Sequence, residues 1–388
     1  MSAPDTIDSG PVVLAVMPGI TPDAGAERSF VDVVEGMVAA GITLHLALLT
    51  DRHVLVPEVE AGGGVVHDLS GARSFPARVL AIRRLIAQLR PAVVHSTLHE
   101  ATFPSQIATI GTGARSLVTW ANTSYTEEHF SGLEAPRYKL RLVQLADLLV
   151  SHTSRSRYHA VTSGVGRVNR ANLRVRADRV FVGERGRDPG RFDLSDEKLA
   201  ACRSSLGLPD GARFVLAAGR QDVQKGYTSL LAAFDVVAGD HDDLHLLIAG
   251  RPGSATAALE QQRDTMRHGD RVHFLGQRPD AAELMTLATV VVCASIREGA
   301  AGALIETMAC ATPIVSVPLA GLEDVLQDGV NALVVPREEL ASGIERVLAD
   351  PALAASLGAG GRATFDERFT IARSAGRLAE IYRQVARS

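Results

Sequence analysis

Short apolar runs alternate along this chain with longer stretches in which apolar residues recur every three or four positions. In the first half the runs are Val12 to Met17, Ile42 to Leu49, Ala92 to His95, Ser116 to Thr119, Leu148 to His152 and Arg179 to Val182. Between them lie helical patterns such as Ala26 to Ala40 and Pro76 to Leu89, the second stopped by Arg90-Pro91. Strand and helix in alternation predict βαβ units and a parallel sheet covered on both faces. A polar stretch follows, from Gly183 through Gly186, Pro189 and Gly190 to about Asp196. The alternation then restarts with Phe214 to Ala218, Leu244 to Ala249, Val272 to Leu275, Val290 to Ala294, Ile314 to Val317 and Ala332 to Val335. That restart predicts two doubly wound domains, residues 1–190 and 191–370, with a cleft at the carboxyl ends of their strands. A final helix over Ile371 to Val385 falls outside the second domain's last regular unit. Gly358-Ala359-Gly360-Gly361 follows a helical stretch rather than a strand, so it reads as a helix break and not as a dinucleotide loop.

Length and composition sharpen this picture. A chain of 388 residues is too long for one ordinary core. Hydrophobic residues make up 46% and aromatics only 4%, so the cores are built from Ala, Val and Leu, as suits buried parallel sheets. A net charge of −4 argues against a general nucleic-acid binder. Cys202, Cys293 and Cys310 have no metal-like spacing and are a poor disulfide framework, which points to a reducing compartment. The segment Met1 to Gly10 is polar and does not read as a signal peptide, and no apolar stretch reaches the roughly 20 residues that span a bilayer. The expectation is a soluble, cytoplasmic protein.

Chemistry concentrates at the ends of the second-half strands. After Val290 to Ala294 comes Arg297-Glu298-Gly299-Ala300-Ala301-Gly302-Ala303-Leu304-Ile305-Glu306, with a helix expected to begin near Gly302. Two carboxylates therefore flank one strand-to-helix turn. Small residues between them let a ligand approach the backbone, and free amides at the helix start favour an anion. Ionised carboxylates suit hydroxyl-rich ligands, whose hydroxyls donate hydrogen bonds to them. After Phe214 to Ala218 comes Gly219-Arg220-Gln221-Asp222-Val223-Gln224-Lys225-Gly226. Gly219 permits a tight turn, and Arg220 and Lys225 are placed to neutralise a diphosphate. The next strands end in Gly250 and Gly276. Asp240-His241-Asp242 looks like a metal-binding aspartate pair, but it precedes Leu244 at the other sheet edge and reads as turn chemistry.

Glutamate, seven residues, glutamate closely resembles the signature of the family 4 retaining glycosyltransferases. The glycine-arginine then lysine-glycine pattern, and Gly321-Leu322-Glu323-Asp324-Val325 through Asp328-Gly329-Val330-Asn331-Ala332, fit that family too. The resemblance is strong over roughly residues 213 to 385 and weaker before them. It implies a GT-B fold: two facing Rossmann-like α/β domains with a cleft between them, the first for the acceptor and the second for a nucleotide-sugar donor. The terminal helix 371–388 would pack back on the first domain. The implied reaction moves a sugar from a nucleoside diphosphate, UDP or GDP, to a hydroxyl acceptor, with neither a bound metal nor a tightly held cofactor. Glu298 and the Gly299 turn, continuing through Ala300, Ala301 and Gly302, would meet the sugar. Glu306 would hold the ribose, and Arg220 and Lys225, after the Gly219 turn, the diphosphate. Gly250 and Gly276 would stand at the ligand edge of the sheet, and the residues after Gly276, from Gln277 and Arg278 to Asp280, would hold the base through backbone groups.

In the first domain, Asp23-Ala24-Gly25-Ala26-Glu27-Arg28 resembles the family's glycine-rich loop, with Ala24 in place of the first glycine. His99 either points into the cleft or caps the following helix. Many relatives carry a histidine where this chain has Ala121, so that role is either dispensable or filled by a neighbour such as Asn122, Ser124 or Tyr125, and Ala300-Ala301 replaces a frequent phenylalanine-glycine. Seven arginines lie between Arg155 and Arg179 (also Arg157, Arg167, Arg170, Arg174 and Arg176) against Asp178 alone. They suit an anionic acceptor or a peripheral contact with an anionic membrane, and equally a solvated basic face. A homodimer is compatible with this reading. A sugar-nucleotide epimerase on the same fold and a silent sugar-nucleotide-binding subunit are the alternatives.

Overall fold

The computed structural model describes residues 10–21, 25–126, 136–299 and 302–388. The chain divides into two compact units: Met1–Gly186 with Thr370–Ser388, and Arg187–Phe369. In the first, the strands are β1 (Val12–Met17), β2 (Thr43–Leu48), β3 (Val65–Asp68), β4 (Val93–Ser96), β5 (Arg115–Trp120), β6 (Arg157–Ala160) and β7 (Val180–Val182). They form a parallel sheet in the order β3-β2-β1-β4-β5-β6-β7. In the second, β8 (Arg213–Ala218), β9 (Leu244–Ala249), β10 (Val272–Gly276), β11 (Val290–Cys293), β12 (Ile314–Ser316) and β13 (Leu333–Val334) form a parallel sheet in the order β10-β9-β8-β11-β12-β13.

Both sheets are doubly wound, and the side-chain alternation shows why. In β1, Val13, Ala15 and Met17 enter one apolar cluster and Leu14 and Val16 another. In β8, Val215 and Ala217 face one core while Phe214 and Leu216 face the other. These central strands are buried on both sides, so apolar runs rather than alternating patterns mark them in the sequence. The strand order reverses between β1 and β4 and between β8 and β11. Those reversals open a crevice at the carboxyl ends, where ligands bind in such sheets. The architecture is the expected pair of Rossmann-like α/β domains of a GT-B fold.

The terminal helix Ile371–Arg387 buries Ala375, Leu378, Ile381, Tyr382 and Val385 in the same core as β1 and β2. It crosses helix Val34–Ala39 at Gly36, where a Cβ would lie 2.6 Å from that of Ala375.

Several expectations need correction. Leu148 to His152 is not a strand but the last turns of helix Arg137–Thr153; the strand is the next segment, Arg157–Ala160, reached after Arg155 turns left-handed at φ 50°. A short apolar run at the end of a helix looks the same in sequence as a short buried strand. Edge strand β3 is short and half exposed, so it leaves no apolar run to mark it. Gly358 to Gly361 does not break a helix; it lies inside Pro351–Arg368. A Cβ at Gly358 would meet the Ala311 carbonyl at 2.1 Å, and one at Gly360 the Val330 carbonyl at 1.9 Å, so these glycines admit backbone against the helix. The pattern Ala26 to Ala40 also divides, into Gly25–Val31 and Val34–Ala39.

Candidate functional site

The two strands flanking the β8/β11 reversal carry the loops singled out by the sequence. Gly219 ends β8 at φ 143°, and its carbonyl accepts from the Tyr227 hydroxyl at 3.0 Å. A Cβ at Gly250 would sit 1.9 Å from that same carbonyl, while the Gly250 amide donates to the Gly276 carbonyl at 2.8 Å. Glycine thus lets the ends of β8, β9 and β10 touch through backbone alone. Gly226, at φ 65°, closes the turn against β11: its missing Cβ would lie 1.9 Å from the Ala294 carbonyl. The Ile296 amide donates to the Gln224 carbonyl, and the Gln224 side chain to the Arg297 carbonyl. Arg337 clamps the same loop, donating to the Ala294 and Ser295 carbonyls at 2.6 and 2.9 Å.

This frame places two ion pairs on the two sides of the β11 turn. Lys225 Nζ lies 2.6 Å from Glu298 Oε1, which also accepts from Ser295 Oγ at 2.7 Å; the two paired side chains are 23% and 12% exposed. Arg187 Nε lies 2.7 Å from Glu306 Oε1, with side chains 10% and 24% exposed. The Arg187 guanidinium runs directly under Gly302, where a Cβ would fall 2.6 Å from it. A small pocket beside the pair is lined by Lys225, Tyr227, Cys293, Ser295, Glu298 and Gly302 among others. Burial, and then the nearby Glu298 carboxylate, push the Cys293 thiol up, which favours its protonated form. Burial likewise raises the Tyr227 phenol, keeping it a donor. Arg220 is half exposed and paired at 2.5 Å with Asp222, which in turn receives the Ser254 amide. A pair so open to solvent contributes little stability and yields readily to an arriving anion.

Other residues singled out by the sequence take their places as follows. Gly276 turns at φ 66°, and Gln277 is exposed beside it. Arg278 commits its guanidinium to Asp280 and Ser205, which fixes the loop. Gly299 is buried next to Glu298, whereas Ala300 and Ala301 lie outside the described residues, as does Ala24. In the first unit Gly25 opens helix Gly25–Val31. His99 is exposed at the start of helix His99–Thr109 and stacks on Phe103. Asn122 caps its neighbour's amide, and Asn169 and Asn172 hold the backbone on either side of Ser124. Arg187, Tyr227 and Arg337 carry no signal in the sequence that marks them as part of a site. Ser295, three residues before Glu298, is the one addition within reach of a local pattern.

A second pocket lies within the first unit, lined by Ala26, Ser29, His95, Thr119, His159 and Arg185 among others. His159 Nε2 is 2.7 Å from the Gly183 carbonyl, which only accepts, so that nitrogen carries the proton. The direction then propagates. His159 Nδ1 accepts from Thr119 Oγ1 at 3.2 Å, Thr119 Oγ1 accepts from His95 Nε2 at 2.6 Å, and His95 Nδ1 accepts from the Tyr382 hydroxyl at 2.7 Å. Both imidazoles are neutral. Burial and then the proximity of His159 hold His95 well below the usual range; burial, with Arg185 and Arg377 adding, lowers His159 to about 4 against the bond to Gly183. An unfolded histidine takes up a proton below about 6.5 whereas these do not, so folding stability is full above that pH and falls as pH drops toward 4. Each contributes a slope of up to about 1.4 kcal/mol per pH unit. Melting temperatures taken from pH 7 to pH 4.5 should fall accordingly, and less steeply in His159→Gln.

Residues 201–364 match the family model described as glycosyl transferases group 1. An alpha-maltose-1-phosphate synthase of Mycolicibacterium smegmatis is 32% identical over 251 residues, 58% of this chain and 62% of that protein. The chain spans less than two thirds of the length of the curated relatives it matches. A glycosyltransferase from Rickettsia africae superposes with a TM-score of 0.79 at 20% identity, covering 97% of this chain and 98% of the other. Anabaena Alr3699/HepE in complex with UDP-glucose gives 0.79 at 18% identity, covering 95% and 98%. These likenesses establish the fold, and the match to the group 1 glycosyltransferase model lies within the second unit.

Proposed function

We propose that this chain is a retaining glycosyltransferase of family 4 that moves a sugar from a nucleoside diphosphate, UDP in the first place, to a hydroxyl acceptor. One observation carries the reading. Two cation–carboxylate pairs, Lys225–Glu298 and Arg187–Glu306, stand on opposite sides of one glycine-lined strand-to-helix turn. A diphosphate seated on that turn meets Lys225 and Arg220, while its sugar and ribose hydroxyls donate to Glu298 and Glu306. The match of the second unit to the group 1 model supports the assignment, as does a likeness of fold to a protein that binds UDP-glucose.

In the proposed reaction the bond between the anomeric carbon and the β-phosphate oxygen breaks, its electron pair going to the diphosphate. Lys225 and Arg220 stabilise the charge that develops there. The acceptor hydroxyl attacks from the face the diphosphate leaves, and a phosphate oxygen takes its proton. The acceptor role falls to the first unit. The acid- or base-dependent chemistry of an epimerase has no assigned residue in this scheme.

Incubation with UDP-, GDP-, ADP- and dTDP-sugars tests the reading. One donor should raise the melting temperature and release nucleotide slowly, both effects vanishing in Glu306→Ala, and a chelator should leave release unchanged. Stabilisation by none of the four would refute it.

A further inference from the structure

Helix Arg137–Thr153 is mounted with its polar side inward. Asp147 and Ser151 are 8% and 2% exposed. Asp147 accepts from the Tyr125 hydroxyl at 2.9 Å and from Ser151 Oγ at 3.2 Å, and Gln144 donates to the Asn172 carbonyl. These bonds fix the rotation of the helix about its axis. The opposite side therefore faces outward, and it is apolar: Tyr138, Leu142, Leu145 and Leu149 are 63%, 61%, 51% and 56% exposed. Spacings of four, three and four residues put them in one stripe. A row of large apolar side chains on an outward helical face is not the ordinary scatter of surface leucines.

The charge beside the stripe identifies what covers it. Arg137, Lys139 and Arg141 flank it on the helix, and all three are exposed. The following segments add the seven arginines of Arg155 to Arg179, so in sequence residues 127 to 179 hold ten cations against Glu127, Glu128, Glu134, Asp147 and Asp178, in a chain whose net charge is −4. Asp147 is buried, and Asp178 is paired with Arg176. A second copy docked on this face by two-fold symmetry would set two positive surfaces against each other. An anionic bilayer instead offers acyl chains to the leucines and headgroups to the cations.

We propose that helix Arg137–Thr153 docks in the plane of an anionic phospholipid surface, burying Tyr138, Leu142, Leu145 and Leu149 between the headgroups. No helix among the described residues is long and apolar enough to cross a membrane, so the contact is peripheral. Such docking needs neither donor nor acceptor and stands apart from the proposed transfer reaction.

The full chain would be floated with vesicles of phosphatidylcholine, alone or mixed with phosphatidylglycerol. Binding is expected only to the mixed vesicles, and it should weaken with salt. Arg137→Gln/Lys139→Gln/Arg141→Gln should lower partitioning roughly 100-fold, about fivefold per cation at about 1 kcal/mol each. Leu142→Gln/Leu145→Gln/Leu149→Gln should lower it at least tenfold with the melting temperature unchanged, since these side chains are exposed. In Tyr138→Trp the emission should shift to the blue on adding mixed vesicles. Three results would overturn the proposal: no binding to mixed vesicles, binding undiminished by the leucine changes, or a wild-type dimer that those changes dissociate.

Discussion

Lys225→Ala is expected to lower kcat/KM for the donor by about 10²- to 10³-fold, the scale of losing one preorganised charge at a leaving group. Two effects add. The ammonium that meets the diphosphate is gone, and Glu298, 12% exposed and 2.6 Å from the lost Nζ, is left as an unpaired carboxylate beside the incoming anion. Lys225→Arg should not rescue, because a planar guanidinium fork does not reproduce the single-point contact that the ammonium makes with Glu298 Oε1 at 2.6 Å. Glu298→Gln removes the same pair from the other side, so the double substitution should cost less than the two single losses combined. Initial rates with the donor picked out by nucleotide release compare all four variants with the wild type, and unchanged melting temperatures exclude unfolding as the cause.

Gly226→Ala is expected to lower stability by about 3 kcal/mol or more and to abolish donor binding. The residue holds φ 65°, and its Cβ would lie 1.9 Å from the Ala294 carbonyl, so either the β8 turn or the end of β11 must move. That movement carries Lys225 away from Glu298. Gly276→Ala is the matched control. Its φ of 66° is nearly the same, yet nothing lies within 4 Å of the added methyl, so it should cost only the left-handed strain of about 1–2 kcal/mol. Urea unfolding of the pair separates steric contact from backbone strain.

These two residues also show what a sequence displays. Gly226 and Lys225 stand in a strand-to-helix turn whose glycine and cation spacing is local, so the amino-acid order alone makes them legible. The parallel sheets are legible for the same reason: strands buried on both faces are continuous apolar runs, as in Leu244–Ala249. Where burial is one-sided the reading fails. Leu148 to His152 looks like a strand because it begins with three apolar residues, yet Leu149 is exposed on a helix, and no local pattern tells outward from inward. Arg187 is invisible for another reason. It meets Glu306 from 119 residues away, and only the fold brings its segment beside the β11 turn. The hydrogen-bond chain from Tyr382 to Gly183 likewise joins β4, β5 and β6 to the terminal helix, with contacts too distant in sequence to leave a motif.

Titration calorimetry with UDP on the wild-type protein, Lys225→Ala and Glu306→Ala tests the central assignment most directly. The site described predicts one binding event per chain, weakened at least tenfold by either substitution, the first through the diphosphate and the second through the ribose. Equal affinity in all three proteins would contradict it and place the nucleotide elsewhere.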